Sequence, residues 1–413
     1  MPKILMIAYH YPPIAGSSGV QRTLSFANYL AEAGWTPIVL SVHQRAYSAL
    51  DEAQLARVDP RVKVVRAQAF DTSRHLAIKG RYLKLMALPD NYISWLPGAL
   101  WVGSQIIRRE QPEFIWSTYP TASAMLVGLG LKKISGLPWV ADFRDSMSEP
   151  GYPSDPWTYR VVTWIERKTI RHCDRAVFTA PGAVRMYAER YPHAADKLTI
   201  IENGYDEEAF TQDSAAPTPK VGTEPFTFLH SGLMYPKERD PTALMQALAA
   251  LKHEGVGPDQ IRVRFRASGH DDFLDQLAKR EGVRDYIDLA PRVPYAEALA
   301  EMLTADCLTI VQARSCNHQI PAKVYEYLRA CRPILSLTAP EGYTAGTTRG
   351  RAHCTVADLE DAASINAALL KVSREQSDPE ALCAPARYAD CSRLSRTNEF
   401  LELLAELNRD SAE

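Results

Sequence analysis

Lys323 and Glu326 sit three residues apart in the run Ile-Pro-Ala-Lys-Val-Tyr-Glu-Tyr-Leu-Arg at 320–329. They pair a full positive charge with a carboxylate that can only accept hydrogen bonds. The apolar spacing of Val324, Tyr327 and Leu328 predicts a helix over 322–330, and Pro321 suits its first turn, where a missing N–H costs nothing. The leading N–H groups of such a helix and the positive end of its dipole suit a phosphate or diphosphate, and Lys323 adds its charge beside them. One turn further in, Glu326 is placed to accept from the two hydroxyls of a ribose. A second cationic pair, Lys237 and Arg239, lies in the connection that starts at Ser231-Gly232, between a strand at 226–230 and a helix at 242–251. A strand turning through glycine into a helix with two cations in the connection makes a second anion site. Taken singly, each cluster also reads as a solvated helix or loop; their order along one chain gives them weight together.

Other polar residues fall where strands end. The runs 114–118 and 139–143 read as buried strands that deliver Ser117, Thr118 and Tyr119 in one case and Asp142, Arg144 and Asp145 in the other. In open parallel α/β sheets ligands bind beyond the carboxyl ends of the strands. Asp142 or Asp145 therefore either orients an acceptor hydroxyl or pairs with Arg144. Near the start, the strand at 3–8 leads through Tyr-His-Tyr-Pro-Pro-Ile-Ala-Gly16-Ser-Ser-Gly19 into a helix at 20–33. Gly16 and Gly19 permit close backbone approach to a ligand, or simply form a tight loop; the spacing is not the dinucleotide fingerprint.

These residues need elements to hold them. At 413 residues the chain is long for one core, and strands alternating with helical stretches predict an α/β protein of two domains, each a parallel sheet flanked by helices. The expected division is 1–212, a linker at 213–225 rich in Pro, Ser, Thr and Gly, 226–388, and a final segment 389–413 whose apolar residues from Leu394 to Leu407 line one helical face. A net charge of −2 gives no global case for nucleic acid. The seven cysteines fall at irregular spacings, without a zinc pair or a disulfide framework. The five-residue apolar run at the N-terminus is too short for a signal peptide, and no run approaches a membrane span, so the expected location is cytoplasmic. Between 75 and 107, lysines and arginines are set among apolar residues and tryptophans. This composition fits either an ordinary packed helix or a surface lying on an anionic membrane at its inner face.

The segment 320–337 resembles the donor-binding helix of the retaining glycosyltransferases of family 4, which have the GT-B fold. Their pattern is two glutamates separated by seven residues; the second corresponds to Glu326, and the first falls on His318. The resemblance covers nearly the whole chain. It implies two Rossmann-like domains facing across a cleft, with a last helix crossing back to the first domain. It implies donor-diphosphate contacts from Arg239, Lys237 and Lys323, and places Ser231, Gly232, His318, Gln319, Ile320, Pro321, Ala322 and Glu326 around the donor. Arg292 and Val293 would lie against the base, and Gly16 and Gly19 would meet the donor phosphates near the acceptor. The run at 138–145 resembles a segment of a subset of the family, which brings in Asp142 and Asp145 on the acceptor side.

The expectation is thus transfer of a sugar from a nucleotide-diphosphate donor to a hydroxyl acceptor, whether glycan, lipid-linked or small molecule, with retention and in cell-surface glycan or glycolipid assembly. No cofactor is expected beyond the donor as co-substrate. No metal is expected either, since Asp142 and Asp145 are separated by two residues and form no Asp-x-Asp signature. A GT-B sugar-nucleotide epimerase or hydrolase, and a non-catalytic nucleotide-sugar-binding protein, remain alternatives.

Overall fold

The computed structural model describes residues 1–15, 19–79, 81–211, 224–351, 353–375 and 385–410. Gly16 and residues 213–223 of the expected linker lie outside the described residues. The chain divides into two compact units, one of Met1–Asn203 with Arg393–Glu413 and one of Gly204–Ser392. The division falls before the linker expected from composition because 204–211 is tied to the second unit. Glu207 accepts from the Arg329 guanidinium, with 2.8 Å at Nε, and the rings of Tyr205 and Phe210 lie against the same guanidinium at 5.9 and 4.9 Å.

The first unit is built on seven strands, β1 (Lys3–Ile7), β2 (Thr36–Val42), β3 (Lys63–Ala67), β4 (Phe114–Thr118), β5 (Trp139–Arg144), β6 (Arg175–Phe178) and β7 (Leu198–Ile200). They run parallel in the order β3-β2-β1-β4-β5-β6-β7. The second unit repeats the plan with β8 (Phe226–Ser231), β9 (Ile261–Arg266), β10 (Ile287–Ala290), β11 (Cys307–Val311), β12 (Ile334–Leu337) and β13 (Cys354–Ala357), parallel in the order β10-β9-β8-β11-β12-β13. Parallel strands connected by helices are covered on both faces and so read as continuous apolar runs; every residue of β4, β11 and β12 is buried. In both sheets the chain order reverses beside the founding strand, at β1/β4 and at β8/β11. A crevice opens beyond the strand ends at such a switch point.

The last helix, Arg393–Asp410, belongs to the first unit. Phe400 stacks on Phe26 of the helix Gly19–Glu32 with ring centroids 5.2 Å apart and planes 19° from parallel, and Leu403, Leu404 and Leu407 complete that core. No disulfide joins the six cysteines among the described residues. No helix among the described residues is long and apolar enough to cross a membrane.

Candidate active site

At the switch point of the second sheet, β8 ends in His230 and Ser231, and the chain turns through Gly232 at φ +118°. The helix Lys323–Arg329 packs against that turn. It is shorter than the 322–330 expected, because Ala322 is its cap and the Val324 N–H already donates to the Pro321 carbonyl at 3.0 Å. With only seven residues its dipole is small, so charge at this place comes mainly from Lys323. The Lys323 ammonium donates to the Ser231 carbonyl at 2.7 Å and lies 3.2 Å from Nε2 of His230. Tyr327, one turn on, accepts the Ser231 N–H at 3.0 Å, so both backbone groups of Ser231 are held from the same helix.

His230 is fully buried, and its Nδ1 lies 3.0 Å from the Thr309 carbonyl oxygen. A carbonyl can only accept, so Nδ1 carries the proton and Nε2 offers its lone pair to Lys323. Burial, with the charges of Lys323 and Arg239, keeps this imidazole well below its usual pKa and therefore neutral. Lys323 is likewise held well below the ordinary lysine value by burial and by the Arg239 charge, against a smaller opposing pull from Glu326. Two cationic side chains are thus crowded without a full counter-charge, an arrangement that a bound anion would relieve. Arg239 donates to the Leu233 carbonyl and lies 5.3 Å from the Tyr235 ring centre. Lys237 is exposed.

Glu326 accepts a hydrogen bond from the Tyr295 hydroxyl at 2.9 Å. Tyr295 opens the helix Tyr295–Thr304 that follows β10. Arg292 and Val293 lie in the turn between them, Arg292 exposed and Val293 half-buried, and the Arg266 guanidinium ties that turn through the Pro291 carbonyl at 2.7 Å. The loop after β11 is folded on Gln312, whose amide donates to the carbonyls of Cys316 and Gln319 at 2.8 and 3.2 Å. His318 and Gln319 are half-buried with their side chains 3.2 Å apart; Ile320 is buried, Pro321 half-buried and Ala322 exposed. The structure thus brings Ser231, Gly232, Arg239 and Lys323 together around one turn, with Glu326 one helical turn beyond.

In the first unit the switch point is occupied by a different set. Asp142 is fully buried, and Arg22 clamps it through Nε at 3.1 Å and a terminal nitrogen at 3.0 Å, while also donating to the carbonyls of Ile201 and Glu202 at 2.9 and 2.8 Å. Thr118 donates to the same carboxylate at 2.9 Å, and Arg144 approaches it at 3.4 Å. Asp142 is therefore the anchor of a buried ion-pair network rather than a carboxylate facing an acceptor, and its main partner is Arg22. Arg144 takes φ +60° at the end of β5 and donates to Thr118 and Thr23 at 2.8 and 3.2 Å. Burial lowers it to about 10, only partly offset by Asp142. Asp145 lies just past it, 3.5 Å from the Thr179 hydroxyl. Gly19 begins the helix after β1 and is buried. His10, three residues past the end of β1, is held down at about 4 by burial and by the charge of Arg144.

Three residues that matter here were not singled out by the sequence pattern: His230, Tyr295 and Arg22. Of these, only His230 carries a sequence signal, a polar group at the end of a strand beside the switch point, as Ser117 and Thr118 are. Arg22 on an amphipathic helix and Tyr295 in a turn carry no comparable signal.

Residues 18–204 match the family described as "Glycosyl transferase 4-like domain". No curated protein matches the chain. Among solved structures, the chain is similar to sucrose-phosphate synthase from Thermosynechococcus elongatus at 14% identity and TM-score 0.68, over 99% of this chain and 100% of that one. It is similar to Anabaena Alr3699/HepE in complex with UDP and glucose at 13% identity and TM-score 0.67, over 98% and 100%. A Listeria monocytogenes protein provisionally assigned as a UDP-N-acetylglucosamine 2-epimerase aligns at 11% identity and TM-score 0.59, over 99% and 97%. Two parallel-sheet α/β units arranged in this chain order, with a helical C-terminus, are the GT-B fold. The stretch that matches the glycosyl transferase 4-like domain spans most of the first unit.

Proposed function

We propose that the protein is a glycosyltransferase that moves a sugar from a nucleoside-diphosphate sugar to a hydroxyl acceptor with retention of anomeric configuration. The observation that carries this reading is the Lys323 ammonium, held on Ser231 and His230 beside Arg239 at the switch point of the second sheet. On this reading the two cations meet the diphosphate, whose charge grows as the bond to the sugar breaks, and no metal ion is required. Neutral His230 orients the ammonium without competing for the phosphate. Glu326 accepts the ribose hydroxyls, Arg292 and Val293 border the base, and His318 and Gln319 face the sugar.

The HepE complexes contain UDP, and a UDP or related donor is the corresponding proposal for this chain. On the acceptor side, Asp145, Arg144 and His10 replace Asp142 as the groups to test. The acceptor would be a glycan, a lipid-linked sugar or a small hydroxyl compound of cell-surface assembly.

Incubating the protein with a panel of nucleotide sugars, with and without acceptor candidates, tests this. Acceptor-dependent release of nucleoside diphosphate, lowered in Arg239→Ala and Lys323→Ala, is the expected result. Consumption of donor that no acceptor accelerates would move the assignment to an epimerase or hydrolase. Binding without consumption would make it a binding protein.

A further inference from the structure

The helix Pro156–His172 in the first unit has no part in either set of site residues, and its outer face is unusual. Trp157, Arg160, Trp164, Arg167 and Arg171 recur at steps of three and four, which places them on one stripe, and all five are exposed. Trp157 is 61% and Trp164 44% exposed, although tryptophan is a residue that proteins mostly cover. The helix has a single acidic residue, Glu166, and it is turned inward. Tyr187, Tyr191 and Arg190 hold its carboxylate at 2.6, 2.7 and 2.7 Å. The exposed stripe is therefore aromatic and cationic only. Toward its C-terminal end, Lys133, Arg171, Lys168 and Lys197 stand close enough to add to partial burial in lowering the His172 imidazole.

At the other end, Asp155, which caps the helix by accepting the Thr158 N–H at 2.8 Å, is paired with Lys84. That pair brings Ile78, Lys79 and residues 81–86 to the start of the stripe. Ile78 and Arg81 exchange backbone hydrogen bonds of 2.8 and 3.0 Å, and Ile78, Leu83 and Leu85 are 79, 72 and 79% exposed among Lys79, Arg81 and Lys84.

We propose that this face, the stripe Trp157 to Arg171 with Ile78, Lys79 and residues 81–86, docks the first unit on the surface of an anionic lipid bilayer. Indole rings settle at the headgroup level, aliphatic side chains reach just below it, and arginines meet lipid phosphates while their stems stay in the apolar layer. Each basic side chain at such a surface improves partitioning about fivefold. A nucleic acid would use the arginines and the indoles but gives Ile78, Leu83 and Leu85 nothing to contact, and the whole chain carries a net charge of −2.

The proposal goes beyond the reaction, and its test uses neither donor nor acceptor, so its failure leaves the transfer reading untouched. Vesicles of phosphatidylcholine alone and of phosphatidylcholine with phosphatidylglycerol are mixed with the full chain and floated on a density gradient. The protein should float with the anionic vesicles only, and less so as salt is raised. The triple variant Arg160→Gln/Arg167→Gln/Arg171→Gln should bind on the order of a hundredfold more weakly. Trp157→Ala/Trp164→Ala should also bind more weakly while keeping its salt dependence. These side chains are exposed, so circular dichroism and urea unfolding should match wild type. Failure of the wild type to float, flotation of the triple variant equal to wild type, or displacement from the vesicles by single-stranded RNA in a manner indifferent to the tryptophans would overturn the proposal.

Discussion

Gly232→Ala separates the two roles that the turn after β8 combines. At φ +118° a side chain is strained wherever the space lies, and the added methyl would stand 3.0 Å from Nζ of Lys323 and 3.6 Å from its Cε. The strain alone should cost ~1–3 kcal/mol of stability. The contact falls on the far end of a flexible side chain, so it is relieved by moving the ammonium away from Ser231 and His230 rather than by opening the fold. If that ammonium meets the diphosphate, displacing it forfeits one charge-assisted hydrogen bond worth ~1.5–3 kcal/mol, a rise in the Kd for nucleoside diphosphate of about 10- to 150-fold.

The assay is titration calorimetry with UDP and GDP on wild type, Gly232→Ala, Lys323→Ala and the double variant, with urea unfolding in parallel. In the Lys323→Ala background the methyl has nothing left to displace. Its effect on binding should then vanish while its stability cost persists. An unchanged Kd in Gly232→Ala, or an equal binding penalty with and without Lys323, would refute the argument that the glycine acts through the lysine.

Tyr295→Phe removes the hydroxyl that holds Glu326 and should weaken nucleoside-diphosphate binding by about 1 kcal/mol, close to fivefold, with stability unchanged; calorimetry on Tyr295→Phe, Glu326→Ala and the pair should show coupling between them. Asp142→Asn leaves Arg22 and Arg144 buried without a full counter-charge and should cost ~3–5 kcal/mol in urea unfolding; a change below about 0.5 kcal/mol would remove the network from the fold's supports. His10 stays neutral in the folded protein down to about 4, whereas the unfolded chain takes up its proton near 6.5, so its contribution is intact above pH 6.5 and lost as pH falls toward 4. Relative to His10→Gln, wild type should lose up to ~3 kcal/mol across that window, less what solvent screens, and parallel stability curves for the two would contradict the burial of the imidazole.

The strands were legible because parallel sheets bury both faces, and such strands appear as unbroken apolar runs with polar residues at their ends. Lys323, Glu326 and Gly232 were legible for the same kind of reason: each stands beside a strand or helix terminus that periodicity marks. Arg22 was not. In sequence it is one cation on an amphipathic helix, and only the folding of β5 beside β4 and the carbonyls of Ile201 and Glu202 makes it the partner of Asp142, 120 residues away. His230 closes its apolar run as Ser117 and Thr118 close theirs, but nothing in the run tells an imidazole that holds a lysine from an ordinary buried strand residue. Tyr295 depends on a turn whose direction no local pattern encodes, and the helix at 323–329 begins later than its pattern because Pro321 and Ala322 are spent on the turn that caps it.

The stacking of Phe400 on Phe26 also sets an order of events. The first unit owns residues at both ends of the chain, so during synthesis its N-terminal two hundred residues emerge with Phe26 and Trp116 still lacking their final cover. All of 204–392 is made before that cover arrives. The unit that begins first is therefore the last to be finished, and until the ribosome has released residues 400–407 a strip of its core faces solvent or a chaperone.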